Sequence, residues 1–142
     1  MSGPRGPQGE GVSEPEASHE LLVLAVRFAI CQFGAGALVP DWIDGGAFWS
    51  VCRTADELSL VCEEERVPAG VRAEKGFSCL KVVGPFDLDE VGVLATLTAA
   101  LAAAGVSLFA ISTYETDYLL VRERDLPVAI DALREAGHVV QF

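Results

Sequence analysis

No apolar run in the 142-residue chain approaches the roughly 20 residues needed to span a bilayer. Basic residues are scarce, 10 Lys and Arg against 21 Asp and Glu, for a formal net charge of −11. A field of that sign repels phosphate backbones and anionic lipid surfaces, so neither nucleic acid nor membrane is expected as a partner. Histidine occurs only at His19 and His138, far apart and at no metal-ligand spacing. The four cysteines, Cys31, Cys52, Cys62 and Cys79, form no C-x-x-C pair and sit in or beside apolar runs. They are expected to be small, buried, reduced residues, with a disulfide or zinc site as the alternative. No cofactor or metal is expected. A nucleotide loop, a metal motif and a nucleophile–His–Asp set are all missing. The first 20 residues lack the apolar core of a leader, and the expected location is cytoplasmic.

What is present is a 51% hydrophobic chain, enough for one domain or two small ones sharing a core. Residues 1–18 are Gly, Pro, Ser and Glu with almost nothing apolar, and read as a disordered tail. "LLVLAVRFAICQF" then reads as one strand, perhaps bent, and "GAGALVPDWIDGG" as loop with one helical turn near Pro40–Ile43. "AFWSVCRT" reads as a strand and "ADEL" as a helical turn capped by Thr54. "LSLVCEEE" is a further strand, with Glu63–Glu65 a solvated charge run. "RVPAGVRAEKG", broken by Pro68 and Gly70, is a connector. Trp42, Phe48 and Trp49 are expected in the core or at a dimer contact.

The second half is more regular. "FSCLKVVG" (77–84) is a strand, followed by a helix with Asp87 as cap, Glu90 completing a capping box and Gly105 just past the end. Val91, Leu94, Ala95, Thr98, Leu101 and Ala102 share one face at i, i+3, i+4 spacing. "VSLFAIS" and "DYLLVR" are strands on either side of "TYET". A second helix follows with Asp125 as cap, Gly137 as stop, and Leu126, Ala129, Ile130 and Leu133 facing the core. "HVVQF" is a last strand. The expected fold is therefore α+β: a ferredoxin-like βαββαβ unit with both helices on one face of an antiparallel sheet, preceded by a shortened copy.

Two segments of this unit have the chemistry of a binding site. Residues 84–93, "GPFDLDEVGV", join a strand end to a helix N-terminus, where free amides and the positive dipole end attract an anionic group such as a carboxylate. Gly92 allows close approach to the backbone, or simply close helix–sheet packing. Asp87 and Glu90 are caps or ligand contacts. "STYETDYLLV" places hydroxyls and two carboxylates, Glu115 and Asp117, between apolar runs, either as a solvated turn or as the edge of a polar ligand site.

Residues 20–142 resemble a small bacterial family of tandem ACT-domain proteins related to the ACT units of CASTOR-type arginine sensors. The resemblance is carried most specifically by "KVVGPFD", "GVLATL" and "STYETDYLLV". It implies a tail (1–18), an abbreviated ACT-like unit (19–72) and an ACT domain (73–142). It also implies a non-catalytic sensor holding a small-molecule amino acid at an ACT–ACT interface, a homodimer, and a regulated protein partner. On this resemblance the ligand site comprises Asp87, Glu90, Val91, Gly92 and Val93 with Ser112, Thr113, Tyr114 and Asp117. Ser112, Thr113 and Tyr114 would contact the ligand through backbone and hydroxyl groups, and Asp117 would pair with an ammonium or a basic side chain. Two alternatives stay open: an interaction domain with a degenerate pocket, and an enzyme of unrecognised type.

Overall fold

The structure, a computed structural model, describes residues 18–142; all of the expected tail except Ser18 lies outside that range. The strands are β1 (Glu20–Val23), β2 (Phe28–Gly34), β3 (Ser50–Arg53), β4 (Glu57–Glu63), β5 (Ala73–Val82), β6 (Leu108–Ser112), β7 (Asp117–Arg122) and β8 (Val139–Gln141). Helices α1 (Val93–Ala103) and α2 (Leu126–Glu135) complete the βαββαβ order β5-α1-β6-β7-α2-β8. The fold is thus the α+β, ferredoxin-like one expected.

All eight strands belong to one branched sheet, and β5 is its spine. Its first half pairs with β2, and β4 and β3 continue outward from there. Its second half pairs on that same edge with β1, which in turn pairs with β8. The other edge of β5 carries β7 and then β6. The order β5-β2-β4-β3 in the first half therefore matches β8-β5-β7-β6 in the second, with β1 inserted between β8 and β5. Where the second half has α1 and α2, the first has single 3-10 turns at Asp41–Ile43 and Glu64–Arg66.

Several local expectations are corrected. "LLVLAVRFAICQF" is two strands: β1 ends at Val23 and β2 begins at Phe28, and β1 runs parallel to β8 in an otherwise antiparallel sheet. β5 begins at Ala73, inside the expected connector. "ADEL" is no helical turn: Thr54 closes the β3–β4 hairpin, its amide donating to Glu57 O (2.9 Å) and its hydroxyl accepting from the Asp56 and Glu57 amides. The glutamate run is not merely solvated, because Glu63 accepts from the Ala47 amide and Glu64 from the Gly76 amide. Cys31, Cys62 and Cys79 are buried free thiols, whereas Cys52 is exposed. Phe48 is buried and Trp42 half-buried, but Trp49 is exposed.

Strand alternation sorts the core by face. Leu80 and Val82 of β5 and Leu119 and Val121 of β7 meet Val93, Leu97 and Leu101 of α1 and Ala129, Ile130 and Leu133 of α2. Phe77, Cys79 and Leu120 point the other way, toward Phe28, Phe48 and Val61, with the Phe48 and Tyr118 rings stacked at 4.1 Å. A third cluster, around Leu58, Leu60 and Cys62, fills the helix-poor unit under Ile43. α2 buries Ala129, Ile130 and Leu133 as its spacing predicts, and its fourth expected residue, Leu126, is half-buried against the same core. α1 does not: of its expected face only Leu101 is buried, while Ala95 and Ala102 are exposed and Val91 precedes the helix. "VLATLTAALAA" carries no charged residue to mark its outer side, so periodicity alone could not fix its rotation.

Candidate functional site

The connection from β5 to α1 and the β6–β7 hairpin are tied together. The Phe86 amide donates to Glu115 O (2.8 Å), and the Thr116 hydroxyl donates to Val82 O. Gly84 is required at this junction, since a Cβ would sit 2.9 Å from the Glu115 carbonyl oxygen. The hairpin is closed by Thr113, whose amide donates to Thr116 O (2.8 Å) and whose hydroxyl accepts from the Thr116 amide. These bonds hold the hairpin tip against the start of α1.

Between the two segments lies a cavity of about 260 Å³. It is below the ~300–1,000 Å³ of drug-sized ligand pockets, and suits a metabolite of amino-acid size. Of the nine residues singled out in the sequence, Asp87, Glu90, Gly92, Val93, Ser112, Thr113, Tyr114 and Asp117 line this cavity together. Val91 does not; it is 92% exposed. Sequence reasoning missed Phe86, Leu88, Leu94, Ala95 and Thr116, which also line it, as does Glu115, weighed earlier but left outside the expected ligand set. The signal for Thr116 was available: hydroxyls at 113 and 116 bracket a tight turn, and one of them is free to anchor the neighbouring strand.

The helix end differs from the capping box expected. α1 starts at Val93, and its N-cap is Gly92 in the left-handed conformation (φ 89°) with no side-chain cap. Asp87 and Glu90 therefore cap nothing; the Asp87 carbonyl accepts the Glu90 amide (3.0 Å) in a turn of its own. A capping side chain must directly precede the helix, and that place is held by a glycine, which reaches positive φ without a Cβ penalty. The first intrahelical bond runs from the Thr96 amide to Gly92 O (2.9 Å). The amides of Val93, Leu94 and Ala95 thus end the helix uncapped beside the cavity, with the positive end of the dipole.

Carboxylates come from both segments, Asp87 and Glu90 from the connection before α1 and Glu115 and Asp117 from the hairpin. All four line the cavity, and among the described residues no Lys, Arg or His does. Asp117 is half-buried at the first residue of β7, opposite Ser112, and accepts a hydrogen bond from the Ser112 hydroxyl. That bond orients one carboxylate oxygen and leaves the other available. The site therefore places amide donors and anionic acceptors around one cavity, an arrangement suited to a small zwitterion or a cation.

Residues 72–135 match the ACT domain family, and residues 27–70 match a second family described as an N-terminal domain. Protein Atu0741 from Agrobacterium tumefaciens is 39% identical over 89% of this chain and 95% of its own, with a TM-score of 0.84. VC0802 from Vibrio cholerae, described as a possible transport protein, is 25% identical over 84% of this chain and 91% of its own, with a TM-score of 0.68. The regulatory subunit of aspartate kinase from Thermus thermophilus shares the fold (TM-score 0.59) at 12% identity, over 85% of this chain and 99% of its own.

Proposed function

Since the chain belongs to the same family as Agrobacterium Atu0741 and its second half is an ACT domain, we propose that it is a non-catalytic regulatory protein that senses an amino acid. One observation carries this reading: the uncapped start of α1 and the acidic β6–β7 hairpin line a single cavity of about 260 Å³. The amides of Val93–Ala95 receive the ligand carboxylate, as helix N-termini receive anions. Asp117, oriented by Ser112, receives the ammonium through a charge-assisted hydrogen bond. Thr113 and Tyr114 border the ligand from the hairpin. Asp87, Glu90 and Glu115 add negative charge that no cation in the lining offsets, which favours an amino acid with a basic side chain over an acidic one.

The site is open on one side, and exposed apolar groups stand around it, Leu88 at 70%, Val91 at 92% and Tyr114 at 78% exposure. Surfaces of that kind mark contact sites. In this reading a second ACT unit covers the mouth in a homodimer, and ligand occupancy alters how the dimer engages the protein it regulates. The relation to CASTOR-type sensors belongs to this proposal also. Thermal-shift screening of all the amino acids at millimolar concentration tests it: a ligand that binds only the folded state raises the melting temperature. A flat response across the set would leave the interaction-domain alternative in its place.

A further inference from the structure

β5 and β7 stay in register from Phe77↔Arg122 to Lys81↔Tyr118, and their ladder ends there. The two chains nonetheless remain side by side, joined by two isolated bonds. The Thr116 hydroxyl donates to Val82 O, and the Phe86 amide donates to Glu115 O (2.8 Å). The cavity of the candidate site lies along this unladdered stretch and is lined by residues of both segments. Its shape therefore depends on two bonds rather than on a continuous sheet.

The hairpin closes without the Thr116 side chain. The Thr113 amide donates to Thr116 O (2.8 Å), the Thr116 amide donates to the Thr113 hydroxyl (3.3 Å), and the Ser112 hydroxyl donates to Asp117. The half-buried Thr116 hydroxyl has one proton, and it is given outside the hairpin, to β5. Asp117, the next residue, is thus governed by two hydroxyls with different tasks. Ser112 orients its carboxylate, and Thr116 fixes the backbone from which that carboxylate projects.

We propose that Thr116 is the positioning residue of the site. Its bond to Val82 sets how far Asp117 stands from the uncapped amides of Val93, Leu94 and Ala95, and so which ligands can engage both ends at once. The inference rests on the amino-acid reading of this cavity. Thr116 also lines the cavity, which makes direct contact with the ligand the competing role. The two roles differ in one respect: a positioning residue acts only through the group it positions.

The test uses the full chain, with L-arginine and L-lysine as calorimetric titrants and amide hydrogen exchange of the ligand-free protein. Thr116→Val keeps the branched shape and the hairpin's own backbone bonds, and removes the hydroxyl. It should weaken binding about two- to tenfold, the worth of one neutral hydrogen bond, and speed exchange at the Phe86 amide by a similar factor. Thr116→Ser should restore both. In an Asp117→Ala background, Thr116→Val should cost no further affinity, since the positioned group is already gone. A further loss in that background would assign Thr116 a direct ligand contact and overturn the proposal. Full binding in Thr116→Val would overturn it too, as would exchange at Phe86 that the substitution leaves unchanged. An unmodified chain that gives no heat with either titrant counts against the amino-acid reading itself; exchange at Phe86 then decides alone whether Thr116 holds the hairpin.

Discussion

Replacing Gly92 by alanine is informative because two readings of the same residue give opposite signs. If Gly92 were inside a helix, as a start near Asp87 implies, alanine would stabilise the protein by about 1 kcal/mol through propensity. The structure places it instead at the N-cap with φ 89° and ψ −1°. There a Cβ approaches the following carbonyl oxygen of its own backbone, at a cost of roughly 1–2 kcal/mol. Nothing else opposes it, since no atom lies within 4 Å of the position a Cβ would take. The penalty is thus purely conformational, and it should follow backbone preference: least for Gly92→Asn, larger for alanine, largest for β-branched valine. For a chain of this size 1–2 kcal/mol corresponds to a fall in melting temperature of about 3–8 °C. Calorimetric melting with urea denaturation alongside would measure it, the urea m-value staying constant if only stability changes. A rise in melting temperature in the alanine variant would refute the left-handed assignment, and with it the uncapped helix end on which the site is built.

Asp117→Ala should weaken amino-acid affinity roughly 10- to 150-fold, the worth of a charge-assisted hydrogen bond, as read by calorimetry with the ligand the screen selects. Its effect on the fold should be small, because the bond it loses to Ser112 lies at an exposed edge. Arg53 donates to the carbonyls of Ala35 and Ala37 and pins the loop after β2; Arg53→Ala should speed protease cleavage within residues 35–40. Of the four thiols only Cys52 should react quickly with a disulfide reagent at pH 8, because burial pushes Cys62 and Cys79 up to about 12 and also raises Cys31. Folding holds these three thiols protonated. The stability this contributes is complete below the ordinary thiol value of 9.0 and should be lost as the pH climbs toward about 12, which urea midpoints across that range would show.

The sequence revealed elements best where polar residues mark a boundary. α2 is phased correctly because Asp131, Arg134 and Glu135 define its outer side. The extent of β7 is read without error because Asp117 and Arg122 bracket four apolar residues. In α1 the outer side is alanine and threonine, and the helix turned out rotated from the expected face. The division of "LLVLAVRFAICQF" into β1 and β2 could not be read locally. It is set by long-range pairing, since β5 offers one continuous edge whose halves lead to β8 and to β4. The candidate site was legible as two segments, an acidic hairpin and a strand-to-helix connection, because each has distinctive chemistry. What joins them was not: the Phe86–Glu115 and Thr116–Val82 bonds depend on a glycine at 84 whose need appears only in three dimensions.

The central claim is that the cavity between α1 and the β6–β7 hairpin binds an amino acid without transforming it. Isothermal titration of the unmodified chain, using the amino acids that raise its melting temperature, tests this most directly. The account predicts a saturable heat with one ligand per site, unchanged ligand recovered afterwards, and loss of that heat in Asp117→Ala. Full binding in Asp117→Ala, or turnover of the titrant, would contradict it.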